Sequence, residues 1–79
     1  MISIQVKLYG TVRRFSQPGT PGLWRGEVPE GSKIIDVIQM IGSSVAEVSG
    51  ATLNGEFVSF DRKVPDRAEI KLVTPMGGG

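Results

Sequence analysis

Seventy-nine residues, 39% of them apolar and 22% charged, describe one small folded domain near the lower size limit for a self-supporting core. Nine basic against eight acidic side chains leave a net charge of +1, so nothing in the charge points to nucleic acid or to an anionic membrane. The chain holds neither Cys nor His, which excludes disulfides, thiol nucleophiles and thiolate metal sites and removes the commonest general base.

The carboxylates are dispersed, with no pair spaced for acid–base work, and no phosphate-cradling Gly loop is present. A self-contained active site is therefore not expected, nor a cofactor or metal bound by this chain. If the protein takes part in catalysis, it does so as a substrate or a carrier. No apolar run approaches the roughly 20 residues that span a bilayer. No charged-then-apolar signal segment opens the chain. The expectation is a cytoplasmic protein, monomeric when free.

Residues 2–9 alternate cleanly, with Ile2, Ile4, Val6 and Leu8 on one face and Ser3, Gln5, Lys7 and Tyr9 on the other, the period of a strand with one buried face. Gly10 ends it, and residues 11–15 form a short helical turn in which Val12 and Phe15, three apart, reach the core. Two Pro-Gly dipeptides make residues 16–22 an exposed loop. Residues 23–28 read as a second strand, antiparallel to the first, with Trp24 and Arg25 as its outward side. Pro29-Glu30-Gly31 is a turn and Ser32 an N-cap. Ile34, Ile35, Val37, Ile38 and Ile41 then form a helical stripe that stops at Gly42. Its Ile and Val content alone would also permit a strand.

Residues 45–53 gain strand character late in the run. Asn54-Gly55, both tolerant of positive φ, is the strongest hairpin signal in the chain, with residues 56–60 as its return strand. Residues 61–67 carry five charges around Val64-Pro65 and read as solvated loop. Residues 68–73 alternate again, Ala68, Ile70 and Leu72 inward and Glu69, Lys71 and Val73 outward. The order is strand, strand, helix, strand, strand, strand, with the apolar first and last strands as central, parallel neighbours. The expected architecture is an α+β fold, a β-grasp (ubiquitin-like) roll whose mixed sheet has one main helix packed on one face. The domain spans residues 1–74, followed by a flexible glycine tail over 75–79.

That tail begins with Pro75, which stops the strand, and ends Gly77-Gly78-Gly79. Without Cβ atoms such a run is slim, permissive in φ/ψ and poor at packing on its own domain. From Pro75 to Gly79 it can extend about 15–18 Å. That suffices to thread a narrow channel in another protein and carry a terminal carboxylate to a reactive centre. A frayed chain end is the alternative that the tail residues alone leave open.

The stretch Leu53-Asn54-Gly55-Glu56-Phe57-Val58-Ser59-Phe60-Asp61, the strand at 69–73, Pro75 and the terminal Gly78-Gly79 resemble the MoaD/ThiS group of sulfur carriers, with MoaD-type members the nearer. Tyr9-Gly10-Thr11-Val12-Arg13-Arg14-Phe15 is similar to the start of the MoaD type. The likeness covers nearly the whole chain, most specifically the C-terminal third. The resemblance implies that the Gly79 carboxylate is adenylated by an E1-like adenylyltransferase using Mg-ATP and then becomes a thiocarboxylate. Its sulfur would pass to a precursor pterin inside the molybdopterin synthase large subunit. Gly79 would carry the reaction, Gly78 and Gly77 would give access, and Pro75 would set the tail's exit direction. Partner-facing apolar positions would fall on Tyr9, Phe57, Val73 and Met76. For Phe57 a core position in the hairpin stays open, and for Tyr9 and Val73 scattered surface placement does. Arg13 matches too, where a solubilising role is as good a reading.

Two departures stand out. Asp66-Arg67-Ala68 replaces the family's usual Asp-Gly-Asp, so that turn can differ in shape. Gly77 makes three terminal glycines, which also suits ThiS-type carriers acting with thiazole synthase. A ubiquitin-like protein modifier and a non-catalytic β-grasp interaction domain are the remaining classes.

Overall fold

The computed structural model describes residues 1–74. Five strands, β1 (Ile2–Leu8), β2 (Leu23–Val28), β3 (Gly50–Leu53), β4 (Glu56–Val58) and β5 (Ala68–Val73), form one mixed sheet in the order β2-β1-β5-β3-β4. The helix α1 (Ile34–Met40) and a 3-10 turn (Gly10–Phe15) complete it. β1 and β5 are parallel and central, with Val6 opposite Ile70 and Leu8 opposite Leu72. β2 runs antiparallel to β1, and β3 runs antiparallel to both β5 and β4. This is the arrangement that the alternation in the first and last strands implies.

One core forms between the sheet and α1. Val6, Leu8, Ile70 and Leu72 from the sheet meet Ile34, Val37 and Ile38 from the helix, all essentially without solvent exposure. Removing an aliphatic side chain of this size from water contributes about 1.5–3 kcal/mol, so a handful of them holds the fold. The helix thus covers one sheet face and leaves the other free of any packed element among the described residues.

Local chemistry fixes the joints. Asn54 and Gly55 take φ of +51° and +92° in the two-residue β3–β4 turn, the double positive φ that a tight hairpin needs. Asn54 also ties the turn to β5, accepting from Glu69 N through Oδ1 (2.9 Å) and donating its own N–H to Glu69 O (2.8 Å). At the β2 edge the side chain of Gln17 acts as a substitute strand. Its Nε2 donates to Arg25 O (2.6 Å), and its Oε1 accepts from Arg25 N (3.1 Å).

Four details differ from the sequence reading. Trp24 lies opposite Val6, on the core face, because adjacent strand residues point to opposite sides and only Arg25 can face outward. Gly26 makes room for its ring: a Cβ there would sit 2.7 Å from it. The N-cap of α1 is Lys33 rather than Ser32, with Asp36 reaching back to accept from Lys33 N at 2.9 Å. The buried Ser32 hydroxyl instead donates to Pro29 O. β4 ends at Val58, and Val64 in the charged loop is buried as part of the core, with its backbone N donating to Ser32 O.

Arg67 occupies the turn where the resemblance calls for glycine, and it adopts φ +61° to do so. Asp66 Oδ1 and Arg67 N bracket Ser3, accepting from its N and donating to its O at 2.8 and 2.7 Å. These bonds hold a backbone conformation that costs an L-residue roughly 1–2 kcal/mol. No helix of the described residues is long and apolar enough to cross a membrane.

Candidate functional site

The open sheet face is built by the residues that alternate away from the core: Ser3, Gln5 and Lys7 from β1, Glu69, Lys71 and Val73 from β5, Thr52 from β3 and Phe57 from β4. Three apolar groups gather at the end of this face where β5 finishes. Tyr9 continues β1 with extended φ/ψ of −124°, 152°, and its N–H donates to Leu72 O (3.3 Å), which sets it beside Val73. Val73 lies opposite Gly50 of β3. The Phe57 ring reaches to within 3.8 Å of where a Cβ on Gly50 would stand, ordinary contact distance, so the ring lies over Gly50.

Tyr9, Val73 and the Phe57 ring therefore form an apolar row that runs diagonally across the sheet, because Phe57 itself pairs with Thr52, two residues from Gly50. Phe57 is 81% exposed and Tyr9 45%, while Val73 is half-buried. The core position for Phe57 is ruled out. An exposed aromatic on a short edge strand gains little from burial in its own domain, which is the kind of residue a partner covers.

Polar groups flank the row. Lys7 and Lys71 are cross-strand neighbours on the parallel pair, and Lys7 Nζ lies 3.8 Å from the Glu69 carboxylate. Thr52, opposite both Phe57 and Lys71, keeps a buried hydroxyl without a hydrogen-bond partner among the described residues. Beside Tyr9, a groove of about 450 Å³ is lined by Lys7, Arg13 and Leu23 among others. No cluster of acidic side chains able to hold a metal occurs among the described residues.

The sequence reading missed the polar residues around the end of β5. Thr74 follows Ala68, Ile70 and Leu72 at an inward position, is buried, and bonds to the 3-10 turn. A hydroxyl where the alternation calls for an aliphatic was the available signal. Nearby, Glu47 accepts from Arg14, Thr11 and Ser43. The Arg14 guanidinium also stacks over Phe15 at 4.3 Å.

The Arg14 hydrogen bond is the main cause holding the Glu47 carboxyl below its ordinary value, helped by Thr11 and Ser43 against the desolvation that raises it. A depressed folded-state pKa stabilises the fold above the unfolded value and loses that contribution as pH falls through the folded one. Glu47→Gln is therefore expected to lower the melting temperature at neutral pH. That difference from the parent should close below about pH 4, and melting curves from pH 3 to 7 check it.

Pro75, Met76, Gly77, Gly78 and Gly79, the remaining sequence-predicted site residues, lie outside the described residues. What the structure places is their point of departure: the last residue of a central strand, beside the Tyr9–Val73–Phe57 row.

Comparison with known proteins fits this geometry. No curated protein sequence gives a significant match. Among solved structures, a provisionally named molybdopterin converting factor subunit 1 of Pyrococcus furiosus superposes with a TM-score of 0.73 at 23% identity, covering 96% of this chain and 100% of that one. SAMP1 of Haloferax volcanii gives 0.70 at 20% identity, over 98% and 99% of the two chains. A crystal structure of the H. volcanii small archaeal modifier protein 1 gives 0.74 at 14%, over 96% and 100%. At these identities the likeness speaks for the shared β-grasp fold. The ThiS family matches residues 6–79, from within β1 through the last glycine. With the sheet order and the sequence match in agreement, the chain belongs to the ThiS family, a β-grasp group of the MoaD/ThiS sulfur-carrier type.

Proposed function

We propose that this protein is a sulfur carrier of the MoaD type, acting through the carboxylate of Gly79. The observation that carries the reading is a family match running through Gly78-Gly79 on a chain whose last strand lies at the centre of the sheet. A carboxylate is a poor electrophile. Joining it to AMP, with release of pyrophosphate, installs a good leaving group, and a hydrosulfide equivalent then displaces AMP to give the thiocarboxylate. Mg-ATP and the stabilisation of developing charge come from the E1-like adenylyltransferase, because this chain offers no His and no Cys. Its own contribution is access and docking. Residues 77–79 present no side chain to a channel wall, and Tyr9, Phe57 and Val73 supply the contact surface.

The acceptor in this reading is a pterin precursor inside the molybdopterin synthase large subunit, and the work is cytoplasmic. A ThiS-type role with thiazole synthase uses the same first two steps. The likeness to the small archaeal modifier structures favours a second reading, in which the same adenylate ends in an isopeptide bond to a lysine.

Incubation with ATP and the adenylyltransferase of the same genome is expected to give an acyl-adenylate at Gly79. Addition of a sulfur donor should then produce the mass increase of one sulfur-for-oxygen exchange. Absence of both adducts defeats the carrier reading. Protein conjugates isolated from native cells would favour the modifier, since a pure carrier leaves none.

A further inference from the structure

The end of β5 is held more firmly than a strand terminus needs. Thr74 is only 3% exposed. Its hydroxyl donates to Tyr9 O at 3.3 Å and accepts from Thr11 N at 3.3 Å, closing the strand end onto the 3-10 turn. Gly10 lies directly against it. A Cβ at Gly10 would overlap Thr74 Oγ1, and Gly10 has φ +68°, so both space and backbone require glycine there.

From the other side, Ser49 donates twice to Val73 O, through N at 2.8 Å and through Oγ at 3.0 Å. The two holds are joined. Thr11 Oγ1 donates to Glu47 at 3.2 Å, and Glu47 also takes Arg14 and Ser43. Residues 9–14, 43–49 and 73–74 thus form one polar collar around the strand end.

Burial alone does not call for this. An aliphatic residue at 74 would continue the inward pattern of Ala68, Ile70 and Leu72 and bury without needing partners. What the hydroxyl adds is position. Strand ends fray at low free-energy cost, and each residue released there shifts the reach of whatever follows by about 3.3 Å. A reacting group displaced by 1 Å can lose about 10²-fold in rate.

We infer that Thr74 is a positioning residue: its collar fixes the root of residues 75–79 so that the Gly79 carboxylate arrives in register at the activating enzyme. The inference rests on the carrier reading above and adds to it the device that sets the carboxylate's reach. The Thr74 hydroxyl bonds the backbone oxygen of Tyr9 and makes no hydrogen bond to the side chains of Tyr9, Val73 and Phe57 that form the docking surface. A change at the hydroxyl therefore acts on the chemical step more than on association.

The test uses the full chain with ATP and the adenylyltransferase of the same genome, followed by pyrophosphate release. Thr74→Val keeps the volume and deletes the hydroxyl. It is expected to lower kcat about tenfold with KM within about twofold, and to speed amide exchange at Thr11. Thr74→Ser should restore both. Ser49→Ala, at an exposed position that leaves the core untouched, should lower kcat in the same sense and keeps the test decisive if Thr74→Val fails to fold. A kcat within twofold of the parent in Thr74→Val, or in Ser49→Ala where Thr74→Val does not fold, overturns the inference while leaving the carrier reading intact. A parent chain that forms no adenylate overturns both. Failure of Thr74→Ser to rescue makes the residue structural only and also overturns it.

Discussion

Replacing Ile70 by alanine is expected to cost about 3–4 kcal/mol, the range for truncating a fully buried aliphatic residue and leaving a cavity. Ile70 has no solvent exposure, sits in β5 at the middle of the sheet, and lies opposite both Val6 of β1 and Leu53 of β3. Three strands and α1 meet around it, so the void has no flexible wall to collapse onto. A chain of this length has a total stability of roughly 4–12 kcal/mol. The variant therefore loses a large share of its stability and is part-unfolded if the parent lies at the low end. In urea, with a slope of about 1 kcal/mol/M for so small a protein, the midpoint should fall by about 3 M. A drop of less than about 1 M would mean that the core repacks, contrary to the close fit described here.

Phe57→Asp is expected to do the opposite: leave the fold and remove the partner. The ring is 81% exposed, so its loss forfeits little burial, and the melting temperature should stay within a few degrees of the parent. On the proposed docking face, an exposed aromatic at the edge-strand end of the Tyr9–Val73–Phe57 row has the character of a hot spot against the large subunit or the adenylyltransferase, worth about 2 kcal/mol or more. The expected result is affinity at least about 30-fold weaker by titration calorimetry. Cooperative unfolding at a much lower temperature would place Phe57 in the core. Unchanged affinity would move the docking surface elsewhere. Neither effect needs the glycine tail, so this variant tests the surface apart from the chemistry.

The fold was legible where one physical rule dominated. In β1 and β5 the period of two had no competitor, because both strands bury one whole face and leave the other to solvent. Asn54-Gly55 was legible because few residues accept two successive positive φ angles. The reading failed where a local cue competed with tertiary placement. Trp24 looked outward beside a charged neighbour, yet strand geometry and the space above Gly26 turn it to the core. Ser32 has the chemistry of an N-cap, but Asp36 caps the helix by bonding to Lys33 N, and Ser32 is taken by Pro29.

The candidate site was legible in part for the same reason. Tyr9 and Val73 were placed on the open face by alternation and Phe57 was singled out by resemblance, and the sheet brings all three toward one end. The collar of Thr74, Thr11, Ser49 and Glu47 was not, because it joins three segments far apart in the chain and only a folded backbone reveals it.

The central pairing of β1 with β5 has a consequence for biosynthesis. Ile4 cannot find Ala68 until the whole chain between them has left the ribosome, so the centre of the sheet closes only after β5 is made. A nascent or prematurely ended product that lacks β5 has no central partner for β1 and no finished surface to offer. Any enzyme that recognises the assembled sheet thereby inspects, without touching it, whether synthesis has passed the strand from which the glycines follow.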